Sequence, residues 1–562
     1  MFLRPVCRRA FFIAEVLNMI VNPILRGFNP DPSIVRVGED YYIATSTFEW
    51  FPGVQIHHSR DLKHWRLLTR PLNRVSQLDL RGVGASQGVW APCLTYDKGT
   101  FYLVYTVVTA FYCNMYDTHN YIVTAPDILG PWSEPAEIRS FGFDPSLFHD
   151  DDGRKYMVMM VTDHRVPKKY AGRLIVQEYD PIQKKMAGDF HEVYQAHDIF
   201  LEGPHIFKRN GWYYLFCADT GTGEGHGQTM LRSRHVFGPY EMDRPDFNCR
   251  TSDTEAYSIL TSRHTPDHPI QKAGHADLVE TQNGEWYIAH LCGRPLSQRN
   301  PSDAPRFANS RRYMLGRETA LQKVIWTEEG WLRLANKTNI PDETLPDPDL
   351  PPCPWPMFSD KDDFDDGSLD IRWQFLRVPL TEKDYSLKAR PGYLRLYGRD
   401  GLGSRFRQSF IAQRLTEMRA EIETAIEFEP LYFKQMAGLI LYYDYDNYLY
   451  LHVTRDEELD KVITLLKAEN KRYTSPYGYI PVPENCPIRL KMTVRDGNVS
   501  FAWTADGQWH SMGDELDASF LSDEACNEGW FTGTMAGLCC QDLTGNHLPA
   551  DFDDFEMKVN ET

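Results

Sequence analysis

A turn followed by an aromatic, β-branched run recurs five times in the first 330 residues, and this repeat limits the possible folds more than any other feature of the chain. The copies are GEDYYIATST from Gly38, KGTFYLVYTV from Lys98, DGRKYMVMMV from Asp152, NGWYYLFCAD from Asn210 and NGEWYIAHLC from Asn283. Each reads as a hairpin turn leading into a buried strand. A second short strand lies upstream of each run, opening at Asp31 (DPSIVR), Trp90 (WAPCLTY), Asp144 (DPSLFHD), Glu202 (EGPHIFK) and Gly274 (GHADLVE), at a spacing of about 11 residues. Later segments such as HSRDLKHWRLL, APDILGPWSEP and RSRHVFGPYEM read as outer strands. Roughly four strands per unit of about 55 to 75 residues is the pattern of a propeller blade, whereas a generic β-sandwich gives no reason for five units in phase. The innermost strand of a blade starts beside the central channel, so Asp31, Trp90, Asp144, Glu202 and His275 are expected around one end of it.

A chain of 562 residues exceeds what one hydrophobic core supports. Residues 339–360, NIPDETLPDPDLPPCPWPMFSD, are rich in proline and acid without an apolar period and read as a linker laid over the surface. Beyond it, GYLRLYG, AGLILYYD, YLYLHVT, IRLKMTV and SFAWTA alternate between turns as the strands of a β-sandwich do. The expected fold is all-β: an N-terminal extension (1–20), a five-bladed β-propeller (21–338), the linker, and a β-sandwich (361–562).

Composition narrows the function by exclusion. With a net charge of -18 and no dense basic stripe, nucleic acid is not an expected partner, and 42% hydrophobic against 25% charged residues does not suit a membrane protein. Eleven cysteines without a C-x-x-C motif suggest neither a disulfide framework nor a zinc site. In TMAGLCCQDL, strand alternation sends Cys539 and Cys540 to opposite faces. The N-terminus has arginines before an apolar stretch, but Glu15 interrupts it and no small-x-small cleavage site follows. The expectation is therefore a cytoplasmic chain, with secretion as the alternative and Met19 as a second candidate start.

Three acids gathered in one pocket repel one another, and burial adds to the cost of their charge, so at least one is expected to hold its proton near neutrality. Hydrolysis of a glycosidic bond needs such an acid together with an ionised carboxylate, and a separation of about 6.5 to 9.5 Å between them leaves room for water and gives inversion. A single Asp-Pro-Ser is more often a turn or cap. Two copies, FNPDPSI and GFDPSLF, with a further acid in the fourth unit, point to a site.

FNPDPSI, STFEWFPGV, GVWAP, GFDPSLFHDDDGRKY, EGPHIF, QKAGHA and LGRETA occur in an order that resembles glycoside hydrolase family 43, closest to its β-xylosidases, and the resemblance extends through the second domain. It implies single-displacement, inverting chemistry that releases xylose from the non-reducing end of β-1,4-xylo-oligosaccharides or arabinoxylan fragments. Carried over motif by motif, Asp31 is the general base, Glu202 the general acid and Asp144 the residue that tunes the acid's pKa. Arg317 pairs with the acids and binds sugar hydroxyls. Phe48, Trp90 and Ala91 form an apolar wall with Thr222 nearby, and Phe531 reaches over the site from the sandwich. His275 matches a histidine at the channel centre, where some relatives hold calcium and others water; no cofactor is implied as a requirement. Where relatives often carry histidine after Trp-Ala-Pro, this chain has Cys93, which puts pocket polarity and the choice between xylose and arabinose in doubt. An α-L-arabinofuranosidase, or a bifunctional enzyme, is the nearest alternative. The retaining invertase group is disfavoured because its N-D-P-N-G, R-D-P and E-C motifs are absent, and a noncatalytic carbohydrate-binding propeller has no need of three matched acids. Oligomeric state stays open, a homo-oligomer included.

Overall fold

The computed structural model describes residues 19–112, 115–165, 172–196, 199–245, 257–304 and 306–560. Of the expected N-terminal extension, residues 1–18 lie outside these, as do Cys7, Cys113 and Cys249. Five four-stranded antiparallel units follow one another along the chain, and within each the strands pair in chain order. The first is Ser33–Val37, Asp40–Thr45, Gln55–Ser59 and Arg66–Thr69. The second is Gly88–Asp97, Thr100–Tyr112, Met115–Ala125 and Ala136–Glu137. Phe143–His149, Lys155–Val161, Arg173–Asp180 and Lys185–Gln195 make the third. The fourth comprises Leu201–Arg209, Trp212–Asp219, Gly227–Ser233 and Glu241–Met242, with Leu260–Thr261 added beside Gly227–Ser233. Gln271–Glu280, Trp286–Gly293, Glu318–Trp326 and Leu332–Leu334 complete the fifth. The aromatic runs are the second strands of these blades. Neighbouring blades cover both their faces, which is why Lys155–Val161 is buried along its whole length instead of alternating.

Side chains near the channel stitch each blade to the next. Leu94 N–H donates to Ser33 Oγ (3.0 Å), His149 Nε2 pairs with Thr95 Oγ1 (2.8 Å), and Ser146 Oγ donates to the Pro204 carbonyl (2.5 Å). Ala276 N–H donates to Gln228 Oε1 (2.7 Å), and Ser33 Oγ donates to Asp277 Oδ2 (2.9 Å), joining the fifth blade to the first and closing the ring. The chain entering the propeller reinforces that closure. Leu25 forms a bridge with Thr319, Asn22 exchanges hydrogen bonds with Leu321, and Met19–Val21 pairs with Thr344–Pro346 just past the fifth blade.

The second domain consists of two stacked antiparallel sheets. The outer one alternates, as in Arg419–Glu427 and Ile488–Arg495, with one face buried. The inner one is buried on both faces: Gln435–Asp444 and Met535–Asp542 expose almost nothing. Alternate residues of these strands belong to different cores. Leu439, Leu441, Tyr443, Leu538 and Cys540 pack inside the sandwich, whereas Ile440, Tyr442, Met535 and Cys539 pack with propeller residues such as Trp50 and Phe28. The two adjacent cysteines thus face opposite ways, and the eight cysteines among the described residues are free thiols. Trp50–Phe51 of the propeller joins the inner sheet as an edge strand, Phe51 opposite Phe375 and Trp50 opposite Leu376. Among the described residues no helix is long and apolar enough to cross a membrane.

Candidate active site

The five innermost strands share a backbone feature that the sequence repeat only approximates. Asp31, Ala91, Asp144, Gly203 and His275 all adopt left-handed backbone, with φ of 55°, 33°, 50°, 54° and 49°. In blades two to five the ladder slips at this point, between Trp90 and Cys93, Phe143 and Ser146, Glu202 and His205, and Gln271 and Ala276. Such a bulge re-aims side chains at a strand end, and left-handed non-glycine residues concentrate at functional sites. The equivalent positions are therefore Asp31, Ala91, Asp144, Gly203 and His275, which corrects the alignment expected from the sequence: Trp90 and Glu202 each stand one residue earlier. In blade four the reason is steric. A Cβ on Gly203 would lie 2.5 Å from His275 Nε2, so no side chain fits there and the acid comes from the preceding residue.

These openings converge on a pocket lined by Asp31, Phe48, Trp90, Phe143, Asp144, Glu202, Thr222, His275, Arg317 and Phe531. Of the ten site residues expected from sequence, only Ala91 is not part of the lining; its N–H donates to Ser46 Oγ (2.8 Å) behind the wall. Phe143 was missed. It stands directly before Asp144 in GFDPS, and it packs edge-on against Trp90 at 5.8 Å between ring centroids. The other aromatics form one wall, with Phe531 5.2 Å from Trp90 and 5.9 Å from Phe48. Cys93 does not line the pocket. It is buried with Val104, Leu147 and Met157 between blades two and three, so the departure from histidine leaves the pocket wall untouched.

The three carboxyls have different surroundings. Asp31 is gripped on both oxygens: Arg317 Nη1 donates to Oδ1 (2.9 Å) and Ser46 Oγ to Oδ2 (2.7 Å). Asp144 accepts one bond, from Gly203 N–H (3.0 Å), and burial, with the Asp31 charge added, pushes it up to about 7. Glu202 has a buried Oε1 with no hydrogen-bond partner, and burial, followed by the charges of Asp144 and Asp31, raises it well above the carboxylate range. His275 Nδ1 lies 3.6 Å from Asp31 Oδ1, and burial pulls this imidazole down to about 4, so it is neutral at working pH.

Calcium takes about six to eight oxygen ligands. Asp31 is taken up by Arg317 and Ser46, and Asp144 by Gly203, which leaves His275 and Glu202 Oε1 as the uncommitted donors, far fewer than a calcium ion needs. Among the described residues no group of three or more His, Cys, Asp or Glu side chains is arranged to hold a metal ion. The side chains here do not fit a calcium ion held by the protein, and no step below is routed through one.

A closed propeller ring that gathers one clamped aspartate and two carboxyls raised by burial in one aromatic-walled pocket has the groups that acid–base hydrolysis requires. The profile of glycosyl hydrolases family 43 matches residues 20–332, and that of the beta xylosidase C-terminal concanavalin A-like domain matches residues 361–558. The chain is 43% identical to a beta-xylosidase of Bacillus subtilis over 96% of its own length and 99% of the relative's. It is also 43% identical to xylosidase/arabinosidase 43B of Humicola insolens, covering 96% and 97% of the two chains. The crystal structure of xylan beta-1,4-xylosidase from Bacillus halodurans superposes with a TM-score of 0.90 at 46% identity, over 96% of this chain and all of that one. The chain belongs to glycosyl hydrolase family 43 and is a glycosidase.

Proposed function

We propose that this enzyme removes single xylose units from the non-reducing end of β-1,4-xylo-oligosaccharides with inversion of configuration. The observation that carries the reading is the contrast inside one pocket between Asp31, clamped by a guanidinium, and Glu202, buried and holding its proton. Asp31, as carboxylate, takes a proton from a water molecule while that water's oxygen attacks the anomeric carbon. The glycosidic C–O bond breaks on the opposite face, and its oxygen takes the proton of Glu202. Afterwards Asp31 gives its proton to solvent and Glu202 regains one. After burial, the charge of Asp144 does most to raise Glu202 and so favours its protonated form. Arg317 and Thr222 supply hydrogen-bonding groups for ring hydroxyls, and the aromatic wall offers apolar faces for the sugar ring. With Phe531 from the second domain in the pocket lining, the site favours cutting from a chain end over threading a long xylan.

A second reading, α-L-arabinofuranosidase alone or alongside xylosidase activity, is favoured by the relative named for both activities. Parallel assays on an aryl β-xyloside, an aryl α-arabinofuranoside and xylobiose, with and without chelator, test both readings. The expected result is turnover of the xyloside and xylobiose, insensitive to chelator. Turnover of the arabinofuranoside alone would replace the first reading with the second, and loss of activity on chelation would overturn the metal-free scheme.

A further inference from the structure

The second domain meets the pocket through more than the ring of Phe531. The Phe531 N–H donates to Ser86 Oγ (3.1 Å), and its carbonyl accepts from Arg317 Nη2 (2.9 Å), the same guanidinium whose Nη1 holds Asp31. The peptide groups flanking Phe531 are thus held between two propeller side chains. Ser86 is itself a junction. Its carbonyl accepts from the indole Nε1 of Trp90 (2.9 Å), its N–H donates to Glu49 Oε2 (3.1 Å), and its backbone is left-handed with φ of 57°. Glu49 is fully buried where the domains meet, and its own carbonyl accepts from Arg377 N–H of the sandwich (2.8 Å). The sandwich loop is seated closely around this junction: a Cβ on Gly529 would lie 2.9 Å from Ser86 Oγ, and one on Gly316, next to Arg317, would lie 2.2 Å from the Thr532 carbonyl.

We infer that Ser86, backed by Glu49, is a positioning residue that fixes the main chain of the sandwich loop at Phe531, and through it the alignment of Arg317 on Asp31. Resting on the glycosidase reading above, this assigns the second domain a part in organising the base as well as in walling the pocket. Arg317 Nε is buried without a partner, so the guanidinium is hydrogen-bonded to Asp31 at one nitrogen and to the Phe531 carbonyl at the other, with the Phe48 and Phe531 rings 5.4 and 5.2 Å from its central carbon. Without the Phe531 anchor it can rotate about Cδ–Nε. The ring and the main chain of Phe531 then have separable duties. The ring contributes ground-state contact with the sugar, which appears in KM. The main chain contributes alignment of the groups around the base, which appears in kcat.

The test compares Ser86→Ala, Ser86→Gly and Phe531→Leu on whichever glycoside the unmodified enzyme turns over, with kcat and KM resolved and melting followed in parallel. Ser86→Ala removes the hydroxyl acceptor and should lower kcat about three- to tenfold, the effect of one hydrogen bond, with the fold retained. Ser86→Gly relieves the left-handed backbone but also lacks the hydroxyl, so it should lose as much. Phe531→Leu keeps the peptide and both of its hydrogen bonds, so it should raise KM by a similar factor and lower kcat less than the Ser86 variants do. Unaltered kcat in both Ser86 variants, recovery in Ser86→Gly, or losses that merely follow melting would each overturn the inference. An unmodified enzyme that hydrolyses no glycoside would instead overturn the reading on which it rests.

Discussion

Asp31, Asp144 and Glu202 share a pocket but not an environment, and the neighbours of each set what it can do. The grip of Ser46 and Arg317 keeps Asp31 in place as an acceptor, while Glu202, lacking a partner for Oε1, holds its proton. Replacing Glu202 with Gln removes the proton donor, so turnover of xylobiose, whose leaving group needs protonation, should fall by about 10² to 10⁴-fold. An activated aryl xyloside should suffer far less; equal losses on both would remove Glu202 from the acid role. The acid works only while protonated, so activity is present below its raised value and lost as pH rises through it. Because the carboxyls titrate together, the observed limb belongs to the group. Asp144→Asn removes one negative neighbour of Glu202, and the alkaline limb of kcat/KM should therefore move to lower pH. A limb that stays in place would show that Asp144 does not tune the acid.

At the scale of strands, the left-handed residue at each blade opening, with a bulge in blades two to five, turns a repeat into a site. The equivalent positions carry side chains at the same left-handed φ, so Gly203 is required for its missing Cβ, since any side chain would meet His275. Gly203→Ala should destabilise the fold by about 1 to 3 kcal/mol and disturb His275; denaturant unfolding at wild-type stability would contradict this account. The repeat itself was legible because hairpin turns and buried aromatic strands are local, short-range signals. The one-residue offset of Trp90 and Glu202 was not, because a bulge leaves spacing along the chain unchanged and shifts only the pairing. Phe143 was overlooked for a related reason: nothing in an apolar residue before Asp-Pro-Ser says that the bulge turns it toward the channel. Trp50–Phe51 also gave no strand signal. The segment FEWFPG lacks alternation, and its partners Phe375 and Leu376 lie far along the chain.

For the molecule as a whole, propeller and sandwich share a core. Cys539 and Tyr442 pack among propeller residues, and Trp50–Phe51 extends the sandwich sheet, so separating the domains uncovers both faces of that seam. A propeller ending at residue 338 should aggregate or lose activity, since it would lack Phe531 and expose Trp50, while the full chain should unfold in one calorimetric transition. Two well-separated transitions would contradict a common core. The seam also explains why the strand Gln435–Asp444, expected to alternate, is buried along nearly its whole length: its outward face meets the propeller, not water. The central claim is a single displacement by water that Asp31 activates and Glu202 assists from the other side of the bond. Proton NMR of the first sugar released from an aryl β-xyloside tests it most directly. The account predicts that α-xylose appears first and then mutarotates; initial release of β-xylose would contradict it.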